Sequence, residues 1–256
     1  MRCLTGRVLA LFVCAVLCVA VPSQAAVTVI WGDSWDGPGK SLQSIVDGLY
    51  GAGQIDVKTD YLGAKAGEPD PWFWLDNQAS ALLVKEVAGN ADYNQLGWYQ
   101  EKGSFPVLLN DGLNDGLVFD GPASAGAAAI VNFSKPMTRF GFYLNPNGPR
   151  DATNAPEPEK FYTNRTYNDA GPDGSGALHL PSGGDVQALV YDISRFKGAN
   201  TWLVCFEDLD SGANPGPMGR AQSDNDFNDF LFEVKAYGAT PVLSLTFGSL
   251  KSKYAR

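Results

Sequence analysis

Short apolar runs alternate with clusters of Gly, Pro, Asn and Asp along most of the chain. Many runs repeat with period two and are too short for helices, the spacing of strands with one face buried. This pattern predicts strands at 27–31, 55–61, 79–87, 95–100, 105–109, 127–133, 138–144, 160–166, 177–180, 186–193, 201–206 and 230–237. Within 201–206, Trp202, Val204 and Phe206 point one way and Leu203 and Cys205 the other. Apolar residues on both faces mark a strand covered on both sides, hence a central one. One segment departs from period two. From Ser41 to Tyr50, residues Leu42, Ile45, Val46 and Leu49 share a helical face, Ser41 can cap the start and Gly51 can stop the helix. Residues 145–159 hold prolines 146, 149, 156 and 158 and read as a loop. The expected fold is all-β: an antiparallel β-sandwich, jelly-roll-like, with one short helix near the N-terminus.

The two ends do not fit this pattern. Arg2 and Arg7, the apolar run 8–21 and the small-x-small triplet Ser23-Gln24-Ala25 read as a secretory signal peptide over residues 1–26. The apolar run is short for a membrane span, so cleavage is expected, with no span left after it. The sandwich would occupy 27–238 as a single domain. Residues 239–256 form a basic tail with Lys251, Lys253 and Arg256, on which Phe247, Leu250 and Tyr254 fall roughly on one helical face. That tail reads either as a frayed terminus or as a sorting or docking tag.

Charge narrows the function. The 256 residues carry a formal charge of −9, and loss of Arg2 and Arg7 leaves 17 basic against 28 acidic side chains, or −11. An acidic chain repels phosphates, which excludes nucleic acid as a partner. Cys3, Cys14 and Cys18 leave with the signal, and Cys205 alone cannot form an internal disulfide. An exported acidic protein without disulfides is stabilised by its core, by bound ions or by both. The single histidine, His179, argues against most zinc sites and against histidine-based catalysis.

The most specific stretch is Ser223-Asp224-Asn225-Asp226-Phe227-Asn228-Asp229, directly before the apolar run 230–234. Asp224, Asp226 and Asn228 alternate, so an irregular loop can converge them on one point. Hard oxygen donors at this density suit Ca²⁺, which takes six to eight oxygens. An EF-hand is excluded, because its sixth position would be Asp229 rather than Gly and its twelfth Lys235 rather than Glu. A second acidic run, Glu207-Asp208-Leu209-Asp210, ends the strand 201–206. If that strand pairs with 230–237, both runs lie at one end of the sandwich. The expected Ca²⁺ ligands are therefore Glu207, Asp208, Asp224, Asp226, Asn228 and Asp229, with Asp229 ligating directly or orienting its neighbours. The bland alternative is a solvated acidic turn.

The pattern Trp202…Phe206-Glu207-Asp208-Leu209, then Asp224-Asn225-Asp226-Phe227-Asn228-Asp229-Phe230-Leu231-Phe232, resembles the C-terminal signature of domain of unknown function 4114. Segments 41–45, 79–89, 94–99 and 140–144 are also similar to that family. The resemblance implies a β-sandwich with a calcium loop and no enzymatic activity. It also implies a bacterial secreted or cell-surface protein, as in exosortase-sorted proteins and large calcium-dependent adhesins. Sorted members end in a Pro-Glu-Pro motif, a membrane helix and an arginine cluster, and no such helix is expected here, which points to release or to another sorting system reading 247–256.

Other constellations carry less. Asp111-Gly112-Leu113-Asn114-Asp115-Gly116 and Phe119-Asp120-Gly121 read as hairpin turns or as a second ion site. Trp31, Trp35, Trp72, Trp74 and Trp98 read as core or as a sugar-stacking platform, with Pro71-Trp72-Phe73-Trp74 the best placed. Nothing singles out a catalytic carboxylate pair. The expected function is that of a structural or adhesive component of the cell surface or extracellular matrix, with a surface glycan or protein as partner. A carbohydrate-binding module is the alternative, and a polysaccharide-active enzyme a weaker one.

Overall fold

The computed structural model describes residues 37–63, 73, 78–88, 91–100, 115–132, 140–146, 160–168, 186–209 and 224–237. Its strands, in chain order, are β1 (Tyr61–Leu62), β2 (Gln78–Glu86), β3 (Gln95–Gln100), β4 (Asp115–Phe119), β5 (Ala128–Asn132), β6 (Phe140–Asn145), β7 (Phe161–Tyr162), β8 (Ala188–Asp192), β9 (Thr201–Phe206) and β10 (Phe230–Tyr237). They form two antiparallel sheets, one ordered β1-β8-β9-β10-β2-β5 and the other β4-β3-β6-β7. The chain changes sheet after β2, β4, β5 and β7, the back-and-forth path of a β-sandwich.

The sheets face each other across an aromatic core. Phe142 of β6 meets Phe232 of β10 edge-on, with ring centroids 4.9 Å apart. Phe73 packs against Phe140, Phe142 and Trp202. Trp98 lies in the same core and is 3% exposed, so it offers no stacking platform. On the outer face of the four-stranded sheet, Tyr99, Tyr143 and Tyr167 form a separate cluster. A Cβ at Gly97 would overlap the Tyr143 ring, so the close approach of that ring requires glycine.

The outer face of the six-stranded sheet is covered by helix α1 (Leu42–Tyr50). Ser41 Oγ accepts the Ser44 N–H, and Gly51 ends the helix with φ +99°. The buried stripe is Leu42, Val46 and Tyr50, whereas Leu49 is exposed. Tyr50 extends the i, i+4 row and takes the place expected for Leu49, which lies about 100° away from it around the helix. With α1 on one side and the second sheet on the other, every residue of β9 is buried. Trp202, Val204 and Phe206 face the inter-sheet core while Leu203 and Cys205 face the helix layer, as the alternation predicts.

Two expected strands are much shorter than their sequences suggest. Of 55–61, only Tyr61 pairs. The Asp56 backbone carbonyl accepts the N–H groups of Thr59 and Asp60, while its Oδ1 accepts the Lys58 N–H, which coils the segment into a turn. Ile55 and Val57 are buried nonetheless, because Gln43 donates to the Ile55 carbonyl and accepts the Val57 N–H in place of a neighbouring strand. Of 160–166, only Phe161 and Tyr162 are extended. The Asn168 amide bonds both backbone groups of Tyr162 from the helical turn α2 (Arg165–Asn168) and so ends the strand. A second helical turn, α3 (Ser194–Lys197), joins β8 to β9. Both turns and the 3₁₀ turn at Ala91–Tyr93 add to the single helix expected.

Segments 1–26, 27–31, 105–109, 147–159, 177–180 and 239–256 lie outside the described residues, as do Trp31, Trp35, Trp72, Trp74 and His179. No helix among the described residues is long and apolar enough to cross a membrane.

Candidate metal centre

The site is built where β9 ends and β10 begins. Phe206 pairs with Phe230, so Glu207 and Asp208 leave the sheet beside the residues that enter it, 224–229. On the other side of β10, Phe230 pairs with Glu86 at the end of β2. The two acidic runs therefore meet at one end of the sandwich, as expected from the strand pairing.

Glu207, Asp224 and Asp226 each offer a carboxylate oxygen, and these oxygens lie within 4.8 Å of one another. Glu207 and Asp226 are fully buried and Asp224 is half-buried. The loop reaches this geometry through two left-handed residues, Asn225 and Phe227, each at φ 55°. Asn tolerates that region, but a bulky Phe does so only when its surroundings hold it there. Here the buried Phe227 ring joins the core between α1 and the sheet, and its N–H donates to Glu207 Oε2 at 3.0 Å.

Asn228 completes the group. Its backbone N–H donates to Asp226 Oδ1 at 3.2 Å, and its Nδ2 donates to Asp226 Oδ2 and, at 2.9 Å, to the carbonyl of Lys40. The Asn228 amide oxygen is buried and has no hydrogen-bond partner among the described residues. A buried amide oxygen without a partner costs on the order of 1–3 kcal/mol, unless a cation takes its lone pairs.

Asp208 and Asp229 fall outside this trio of oxygens, although the Asp229 carboxyl contacts that of Glu207. The Asp208 N–H donates to Asp229 Oδ2 at 2.9 Å, which ties one acidic run to the other. The Asp208 carboxylate accepts Asn94 Nδ2 at 3.2 Å, and the same nitrogen donates to Glu86 Oε1 at 3.2 Å. Burial, then the charges of Glu207 and Asp208, push the Asp229 carboxyl well above the usual range. Burial, followed by the charges of Asp208 and Asp92, raises Glu86 to about 7 against the opposing bond from Asn94. Glu86 and Asn94 were not among the residues predicted for the site. They fall within the similar segments 79–89 and 94–99, yet only the pairing of β2 with β10 shows what they face.

The second acidic stretch differs from its expectation. Asp115 and Gly116 lie inside strand β4 rather than in a turn, and Asp115 is fully buried. Asp120 Oδ1 accepts the Gly121 N–H and Gln95 Nε2, while 111–114 lie outside the described residues.

Residues 135–237 match the family model of the domain of unknown function DUF4114. The DUF4114 segment holds β6 to β10 and all six predicted ligands. Helix α1, Glu86 and Asn94 precede it, as do the similar segments 41–45, 79–89 and 94–99. No curated protein and no solved structure matches the chain significantly.

The donors suit a hard cation. Three carboxylates converge, the neighbouring Asn228 carries a buried amide oxygen, and Cys205, the one soft donor in the neighbouring strand, faces the helix layer instead. This buried acidic cluster could hold a metal ion.

Proposed function

We propose that Glu207, Asp224, Asp226 and Asn228 bind Ca²⁺, with Asp208 and Asp229 joining or bracing the ligand set. The protein is then an exported calcium-binding β-sandwich that acts as a structural or adhesive component of a cell surface or extracellular matrix. The observation that carries the reading is three converging carboxylates together with the buried amide oxygen of Asn228, a residue bonded to one of them, which has no hydrogen-bond partner among the described residues. Like charges this close, two of them fully buried, repel strongly unless a cation or protons neutralise them. The signal-like segment 1–26 supports export, and export supports Ca²⁺ as the available ion.

The role of the ion is structural. It binds the folded loop and not the unfolded chain, so it stabilises the fold by mass action. Replacing Asp224 and Asp226 together by Ala should abolish a calcium-dependent rise in melting temperature. An undiminished rise in that double variant would place the ion elsewhere.

A further inference from the structure

Helix α1 is fastened near both ends, and each fastening leads to a different place. At the C-terminal end, the Tyr50 hydroxyl donates to Glu233 Oε1 at 2.9 Å, and Lys197 Nζ meets the same oxygen at 3.0 Å. At the N-terminal end, Asn228 Nδ2 holds the Lys40 carbonyl, immediately before the Ser41 cap. Beside that contact the Phe227 ring shares one buried cluster with Leu42, Val46, Ile55 and Val57 of the strap and with Cys205 of the sheet. Asn228 and Phe227 are also the loop residues that touch Asp226 and Glu207.

From these contacts we infer that cation binding latches the strap 40–57 onto the six-stranded sheet, and that cation loss opens this layer before the layer between the two sheets. The inference rests on the proposed calcium site. Without a cation, the repulsion among Glu207, Asp224 and Asp226 is relieved by whichever residues move most readily. Glu207 follows a strand buried along its whole length, whereas 224–228 carries two left-handed residues, one of them an unfavourable Phe. Displacing that loop withdraws both the Phe227 ring and the partner of the Lys40 carbonyl. The inter-sheet core contains neither Phe227 nor any residue of α1.

Cys205 reports on the latched layer. Its thiol is fully buried, in the same cluster as α1, and burial raises its pKa. The experiment follows modification of Cys205 by a small aromatic disulfide, read by peptide mass mapping of the full chain, with and without calcium. A Cys205→Ser/Val204→Cys variant moves the thiol to the inter-sheet core, and calorimetry measures calcium binding in parallel. Calcium removal should speed modification at Cys205 by roughly tenfold or more, through local opening, while the thiol at 204 stays protected. Calcium binding with no change at Cys205, or with both thiols exposed equally, overturns the latch and leaves the calcium site standing. Absence of binding overturns both.

Discussion

The backbone N–H of Asp208 donates to a carboxylate oxygen of Asp229 at 2.9 Å, although the two residues are 21 positions apart. One acidic run thus supports the backbone of the other, and the exit of β9 is tied to the entry of β10. Asp229 is itself buried, and its carboxyl is pushed well up by burial and by Glu207 and Asp208. Its shape and its charge can be separated by substitution. Asp229→Asn keeps an acceptor for the Asp208 N–H and removes a charge that burial penalises. Asp229→Ala leaves that N–H buried without its partner, at a cost of about 1–3 kcal/mol. In metal-free protein the Asn variant should melt at or above the parent and the Ala variant below it. Equal melting of the two variants would show that the hydrogen bond contributes nothing.

Glu86 gives the metal-free protein a pH dependence. Its folded pKa is about 7, raised from 4.5. A raised carboxyl favours the folded state fully below the unfolded value and loses that contribution as pH rises through the folded value. Metal-free protein should therefore lose melting temperature between about pH 4.5 and 7, and Glu86→Gln should flatten this part of the curve. An identical slope in the variant would remove Glu86 as a cause.

Phe227 is placed to couple the loop to the core. Truncation to Ala removes a fully buried ring and should cost about 3–5 kcal/mol. Because the same residue's N–H holds Glu207, calcium affinity should fall as well, although no ligand atom is changed. Chemical denaturation and calorimetry on Phe227→Ala measure the two effects separately. Lost stability with unchanged affinity would confine Phe227 to packing.

Much of this was legible in the chain. Period-two runs at 79–87, 95–100, 201–206 and 230–237 match β2, β3, β9 and β10 to within a residue. Those segments are buried on one or both faces by the layers packed against their sheet, so local pattern and tertiary environment agree. The failures at 55–61 and 160–166 share a cause. In each, a side-chain amide, Gln43 or Asn168, bonds backbone that a strand would otherwise pair. Hydrophobic periodicity carries no record of such a bond. In the site, the alternation of Asp224, Asp226 and Asn228 exposed the ligand loop. The places of Glu86, Asn94 and Lys40 depend on strand order and helix docking, which no local pattern encodes.

Tyr50 tests the fastening away from the acidic site. Tyr50→Phe keeps the ring against Phe196, whose centroid is 5.2 Å away, and removes one donor from the buried Glu233. Lys197 still reaches the same carboxylate. The expected loss is about 1–2 kcal/mol, with calcium affinity unchanged. A large fall in affinity would mean that both ends of α1 report to the site.

The most direct measurement is a calorimetric titration of Ca²⁺ into metal-free protein, repeated on the Asp224→Ala/Asp226→Ala variant. Saturable binding is expected in the parent, together with a melting temperature raised by several degrees at saturation, and both should vanish in the variant. A parent that neither binds Ca²⁺ nor gains stability from it would contradict the calcium site and reduce the 224–229 loop to a polar turn.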